Sequence, residues 1–319
     1  MNITTVIVTF NRKSELFRCM EAVLEQSYKP NNLIIVNNAS TDGTEEALLE
    51  YFHCGNMVYK KKQLQQIGTK DCTSVYLYSH EQNTGGAGGF HIGLKCAHEQ
   101  LESDFVWLMD DDGYPTKDCL SQLLSFTDKY DYIMPTSINI LNHSELSWSV
   151  RMKNGKKTNS YEELKASWGK IMDYVTPFNG VLLSKRCIDE AGYINKDFFI
   201  WGDDYEHYYR CRKKGFVPVT LLPAQFYHPA QKVILEKICL GLFELAYSDS
   251  PLRMVCLVRN WTYIYRHYNQ KWKIPVKWCM YWWFFIITRH NDNAGWKLYK
   301  DAVKDGFRED FSRHLQYLN

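Results

Sequence analysis

The chain has 319 residues, 45% of them apolar and 23% charged, with a formal net charge of +2. That is an ordinary globular balance for one large domain with an appendage or for two modest domains, and it excludes a disordered or collagen-like chain. The ten cysteines contain no CxxC pair, which excludes a zinc ribbon or a thioredoxin-type site, and the near-neutral charge points neither toward nor away from nucleic acid.

The opening, MNITTVIVTFNRK, has no basic segment ahead of its short apolar run, so it reads as a first strand at Val6–Phe10 and not as a signal peptide. RKSELFRCMEAVLEQS follows with Leu16, Met20, Val23 and Leu24 at helical spacing, and Pro30 stops it. NLIIVNNAS is a second strand. STDGTEEALLEYF is a helix capped by Ser40 or Thr41. A third strand lies near SVYLYS, a glycine-rich turn leads into the helix GGFHIGLKCAHEQ, and FVWLM is a fourth strand before the helix TKDCLSQLLSFTD.

This alternation predicts an α/β fold, a mostly parallel sheet with helices on both faces, whose ligands sit beyond the carboxyl ends of the strands. Asn11, Arg12, Asn37, Asn38, Asn83 and Asp110–Asp112 all fall at such ends and converge on one rim.

The rhythm stops at residues 141 to 175, which read as polar and irregular, either an insertion or a long surface excursion. TPFNGVLLSKRCIDEAG resumes with a strand and a short helix. FFIWGDDYEHYYRCRKKGF carries a second acidic cluster into a helix closed by Gly215, and PVTLLPAQFYHPA is another strand. Beyond about residue 232 the pattern is helical and aromatic. Its most apolar run, Trp278–Ile287, falls short of the roughly 20 residues that span a bilayer. Residues 251–319 hold 12 Lys and Arg against 5 Asp and Glu, so this basic, aromatic piece is either a membrane- or partner-facing element or a tail with a solvated basic face. Cys96, Cys239 and Cys256 sit among apolar neighbours and read as small buried hydrophobes in a reducing compartment.

Four stretches carry chemistry. Asp110 and Asp112, two apart in extended backbone, face one way and Asp111 the other; either a divalent cation lies between the two, or the triplet is a solvated turn. In NTGGAGGFHIG the glycines at 86 and 88 lack the third at 91, where His91 stands, which excludes a dinucleotide-binding fingerprint. What remains is a flexible turn that passes close to a ligand, or a tight helix–sheet junction. In WGDDYEH, a carboxylate is a general base beside the Trp201 platform, or the acids simply answer a helix dipole. His228, after an apolar strand, is structural or completes a cation's ligands, tilting the choice from Mg²⁺ to Mn²⁺.

Taken in order, TVIVTFNR, IIVNNASTDGT, NTGGAGGF, WLMDDDGYP and FFIWGDDYEHYYRCRKKG resemble the family-2 glycosyltransferases over roughly residues 1 to 230, and most of all the galactofuranosyltransferase branch, with rhamnosyltransferases close by. The resemblance implies a GT-A fold at 1–231, with a nucleotide-sugar half at about 1–113 and an acceptor half at about 114–231, followed by a helical extension at 232–319. It implies an inverting transfer of galactofuranose from UDP-galactofuranose to a growing, lipid-linked cell-surface polysaccharide, with Mn²⁺ or Mg²⁺ on the diphosphate. The alternatives are rhamnose from dTDP-rhamnose, or a non-catalytic nucleotide-sugar or glycan-binding module.

By the same resemblance Thr9, Arg12, Asn38, Asn83, Gly85, Gly86 and Asp111 hold the nucleotide sugar. Asp110, Asp112 and His228 hold the metal, Asp204 is the base, and Trp201, Asp203 and His207 line the acceptor. Gly202, between Trp201 and the two acids, has no counterpart in some galactofuranosyl relatives. The expected location is cytoplasmic, peripheral on the inner face of the plasma membrane. No nucleic-acid partner is expected, and the oligomeric state is left open.

Overall fold

The computed structural model describes residues 1–54, 58–175, 179–230 and 234–318, and the chain divides into two compact units. One unit is Met1–Lys196 with His207–Gln231; the other is Asp197–Glu206 with Lys232–Asn319. The domain boundary expected after residue 231 lies outside the described residues.

The first unit is built on strands β1 (Ile3–Thr9), β2 (Asn32–Asn37), β3 (Gln65–Lys70), β4 (Thr73–Ser79), β5 (Phe105–Asp110), β6 (Tyr114–Pro115), β7 (Tyr132–Asn139), β8 (Glu145–Arg151), β9 (Lys157–Ser160), β10 (Ile171–Met172), β11 (Val181–Ser184) and β12 (Val219–His228). Their order across the main sheet is β10-β12-β7-β11-β5-β1-β2-β4-β3. The stretch β5-β1-β2-β4 is parallel, as is β12 with β7, while β11 runs antiparallel to both of its neighbours. All seven residues of β1 are buried, as expected of a strand covered on both faces. Helices α1 (Lys13–Leu24), α2 (Thr44–Tyr51), α3 (Gly85–Glu99), α4 (Cys119–Leu124), α5 (Tyr161–Trp168) and α6 (Lys185–Ala191) connect these strands. The helix α7 (Asp203–Lys213) begins in the second unit's share of the chain.

Several local expectations change. α2 starts at Thr44, not at Ser40 or Thr41, because Asp42 makes the turn: its carboxylate accepts the backbone N–H of Lys13 at 3.0 Å and of Thr44 at 3.2 Å. The glycine run is not a turn before a helix but the first turns of α3 itself. A Cβ on Gly89 would stand 2.4 Å from Val8 Cγ1, and one on Gly93 2.4 Å from Val6 Cγ1, so both glycines let α3 lie directly on β1. For these two positions the tight-junction reading holds. β3, an edge strand with Ile67 its one buried residue, has too little apolar pattern to be read from sequence. Residues 141–175 are ordered: β8, β9 and α5 enclose a small core of Leu146, Val150, Tyr161 and Leu164 with Ile138 and Leu222.

The second unit opens with a hairpin, β13 (Ile234–Ile238) and β14 (Phe243–Tyr247), where helix was expected; Gly241, at φ +87°, lies in its connection. Then come α8 (Pro251–His267), capped by Ser250 with Pro251 at its first position, α9 (Lys273–Trp282) and α10 (Asn293–Arg308). α9 runs into a π-helical turn at Trp283–Thr288. Met254, Leu257, Tyr281, Phe284, Phe285 and Tyr299 form the core of this unit. Among the described residues no helix is long and apolar enough to cross a membrane.

Candidate active site

The chain moves from β1 to β2 to β4 on one side, and then α3 returns it to β5 on the other side of β1. The gap between β1 and β5 is therefore a topological switch point, where an open parallel sheet leaves room beyond its strand ends. Thr9 closes β1 and donates its hydroxyl to Asp111 Oδ2 at 2.6 Å. Arg12 Nη1 bridges Asp111 Oδ1 at 3.1 Å and Asp112 Oδ2 at 2.9 Å. β5 ends at Asp110, so the two-residue alternation expected through Asp112 stops there, and Asp111 and Asp112 lie in a turn. Asp111 is the buried member of the three. Burial outweighs the help from Thr9 and Arg12 and pushes its carboxyl up to about 6.

Gly113 fixes what faces this turn. A Cβ there would stand 2.3 Å from Phe226 Cε1 and 2.6 Å from the Tyr227 carbonyl oxygen. Without one, β6 pairs with the end of β12, Phe226 opposite Pro115 and Tyr227 opposite Tyr114. The next residue, His228, then brings Nε2 to 3.2 Å from Asp112 Oδ1. His228 Nδ1 lies 2.7 Å from the Pro229 carbonyl, which can only accept, so Nδ1 carries a proton. In the neutral ring the Nε2 lone pair then faces Asp112, the tautomer that ligates a cation. Two carboxylates and one imidazole suit Mn²⁺ better than Mg²⁺, so the donor set fits the metal expected from sequence. Among the described residues no three His, Cys, Asp or Glu side chains form a preformed metal cluster; Asp112 and His228 are brought together, and Asp110 is the last residue of β5, two positions before Asp112.

On the other side of β1, Asn38 is buried and its amide is saturated. Its nitrogen donates to Asn83 Oδ1 at 2.9 Å and to the Gly85 carbonyl at 3.0 Å, and its oxygen accepts the N–H and the hydroxyl of Thr84, each at 2.9 Å. Two donors and two lone pairs are all an amide has, so Asn38 spends them on the Asn83–Gly85 turn instead of offering them to a nucleotide. Gly85 takes φ +70° there, and Gly86 has nothing within 4 Å of where a Cβ would stand.

The second acidic cluster lies within the second unit. Phe199, Trp201 and Gly202 hold φ of +66°, +62° and +87°, a strained run for side chains other than glycine. Asn260, fully buried on α8, clamps it by pointing its amide nitrogen at the carbonyls of Phe198, Ile200 and Trp201, at 2.9, 3.0 and 2.7 Å. Arg259 donates to the Phe198 carbonyl at 3.0 Å and to Asn260 Oδ1 at 2.9 Å. Sequence reading missed both residues. The available signal was a charged and an amide residue inside the apolar helix VCLVRNWTYIY, since groups buried there must be bonded.

The clamped run delivers Asp203 and Asp204 at the start of α7, where Asp204 Oδ1 accepts the Tyr205 N–H at 2.7 Å. Burial raises both carboxyls above the ordinary range; for Asp203 the charge of Asp204 adds to it, and for Asp204 backbone N–H groups oppose it. Trp201 is half-buried with the Arg253 guanidinium over its ring. His207, expected to line the acceptor, is fully buried: it packs on Cys211 Sγ at 3.7 Å, and Nε2 lies 3.3 Å from the Gly192 carbonyl. One helical turn past the acids, it faces the core of the first unit and cannot line an open surface.

Known proteins fit this architecture. The profile described as Glycosyl transferase family 2 matches residues 4–185, more than half of the chain. Galactofuranosyltransferase GlfT1 of Mycobacterium tuberculosis is 27% identical over 318 residues, 98% of this chain and 97% of that protein. The structure of GalNAc-T7 with UDP, GalNAc and Mn²⁺ superimposes with a TM-score of 0.60 at 12% identity, covering 99% of this chain and 58% of that one. Staphylococcus aureus TarS 1–349 with UDP-GlcNAc superimposes with a TM-score of 0.55 at 15% identity, covering 100% of this chain and 84% of that one. The switch-point sheet is thus a GT-A fold, and the chain belongs to glycosyl transferase family 2.

Proposed function

We propose that this chain transfers galactofuranose from UDP-galactofuranose to a hydroxyl of a lipid-linked glycan acceptor, with inversion at the anomeric carbon. What carries the choice of sugar is the near full-length alignment with M. tuberculosis GlfT1, a protein named as a galactofuranosyltransferase. Thr9, Arg12 and Asp111 line the nucleotide side, Gly85 and Gly86 leave backbone room for the diphosphate and sugar, and Asn38 with Asn83 positions that turn. A divalent cation, Mn²⁺ by its ligand set, held by Asp110, Asp112 and His228 would neutralise charge on the departing diphosphate. Asp204 takes the proton of the acceptor hydroxyl; its carboxyl, raised by burial, is a stronger base than a solvated aspartate, and the Tyr205 N–H fixes its orientation. Trp201 and Asp203 contact the acceptor sugar. The basic, aromatic C-terminal helices keep the protein on the inner face of the membrane where such an acceptor resides.

The test is UDP release from UDP-galactofuranose in the presence of a lipid-like glycan acceptor, with Mn²⁺ or with chelator, for wild type and Asp204→Asn. Metal-dependent release that falls by at least a hundredfold in the variant is the expected result. Release from dTDP-rhamnose alone would change the sugar, and an undiminished Asp204→Asn rate would remove Asp204 as the base.

A further inference from the structure

Inside the second unit, α8 and α9 enclose a cavity of about 230 Å³, walled by Leu257, Trp261 and Tyr265 on α8 and by Ile274, Lys277 and Tyr281 on α9. A whole small ligand fills roughly 300–1,000 Å³, so this space takes one end of a larger molecule. Its walls are mostly ring faces and aliphatic carbon. Of its polar groups, the hydroxyls of Tyr281 and Thr262 are spent on the Ala246 and Val258 carbonyls, each at 2.7 Å.

The ammonium of Lys277 is the charged group at this cavity, and among the described residues no carboxylate forms an ion pair with it. Burial and then the nearby Lys273 lower its pKa, as expected of a cation that lacks an anion. Lys273 is held beside it, over the Tyr265 ring at 5.5 Å. At roughly 100° per residue, Lys273 and Lys277 fall between the cavity side of α9, Ile274 and Tyr281, and its outward side. That outward side exposes Trp272 at 65%, Val276 at 48% and Trp282 at 44%. An apolar outer strip, a lysine pair beside it and an apolar cavity behind is the order in which a phosphorylated lipid presents its surroundings, phosphate and chain.

We propose that this cavity is a lipid-phosphate site: it takes the first carbons of an isoprenoid or acyl chain whose phosphate is held by Lys273 and Lys277. Within the same unit, the Trp261 ring of its wall packs on Tyr205 at 5.1 Å between centroids, and Tyr205 directly follows Asp204. The lipid end of the acceptor is the occupant; that identification rests on the transfer reading, whereas the binding of a lipid phosphate does not.

Calorimetric titration of the full chain with farnesyl phosphate, farnesol, inorganic phosphate and methyl galactofuranoside tests it, using wild type, Lys277→Gln and the cavity-filling Ile274→Trp. Farnesyl phosphate is expected to bind one to one. Lys277→Gln weakens it about tenfold without changing farnesol, and Ile274→Trp abolishes it while UDP binding and far-UV circular dichroism stay unchanged. Equal affinity for farnesol and farnesyl phosphate overturns the proposal. So does binding that neither variant weakens, or binding of the methyl glycoside in place of the lipid. Lipid-phosphate binding without turnover of UDP-galactofuranose would leave the site and remove the transfer reading; turnover without lipid-phosphate binding would remove the site alone.

Discussion

At the scale of single residues, the Asp203–Asp204 pair sets opposite demands on stability and chemistry. Both carboxyls have folded-state pKa values raised above the unfolded value of about 3.9. Below pH 3.9 both states are protonated and the pair costs nothing. As pH rises from there toward the folded values, the unfolded chain releases its protons first and folding stability falls; above the folded values the whole cost remains. Asp203→Asn therefore raises Tm by a few degrees at pH 8, and the gain vanishes near pH 3.5, as thermal melts across pH will show. A gain independent of pH would trace it to hydrogen bonding instead of charge. The acid limb of kcat/KM is expected above the ordinary carboxylate range for the same reason, because Asp204, as the proposed base, must be ionised to take a proton. On the nucleotide side the demand is charge balance: Arg12→Ala leaves Asp111 buried without its cation and costs on the order of 1–3 kcal/mol. Adding Asp111→Asn recovers most of that loss but not UDP affinity, which chemical denaturation and nucleotide titration separate.

At the scale of elements, α3 shows how one residue type serves two ends. Gly89→Ala drives a Cβ into Val8 and is expected to cost roughly 1–3 kcal/mol, relieved by Val8→Ala. Gly86→Ala meets open space in a helix at an ordinary φ and is expected to raise stability by about 0.5–1 kcal/mol while weakening donor binding. Unchanged KM for the donor would take Gly86 off the donor surface. The parallel strands, α1 and the rim were legible because β-branched runs and four-residue apolar spacing are local signals. β8, β9 and the β13–β14 hairpin were not, because half-exposed antiparallel strands repeat every two residues over only four to seven positions and their partners lie elsewhere in the chain. Asn38 was legible as a rim residue but not as a saturated one: its position follows from β2, its bonds from a turn 45 positions later.

At the scale of the whole molecule, the acidic run that opens α7 is counted with the C-terminal helices and not with the sheet that precedes it in sequence. Asn260 is the reason that can be tested. Asn260→Leu takes the amide donor from the Ile200 and Trp201 carbonyls, while Phe198 keeps Arg259, and is expected to cost on the order of 3 kcal/mol, with turnover reduced far more than UDP affinity. Equal losses in both would mean that the clamp supports the fold in general. Sequence could place Trp201 and the two acids beside one another, yet the residue that bends their backbone stands 59 positions beyond Trp201. The same spacing orders events during synthesis. Domains fold as they emerge, N-terminal parts first. When residue 231 emerges from the ribosome, every strand of the main sheet has been released, together with Arg12, the aspartate turn and His228, while Asn260, the donor that clamps the Trp201 carbonyl, is still inside the exit tunnel. On the transfer reading, the proposed nucleotide rim would thus be complete before the proposed base is held in place, and a chain stalled on the ribosome at that point would bind a nucleotide without transferring its sugar.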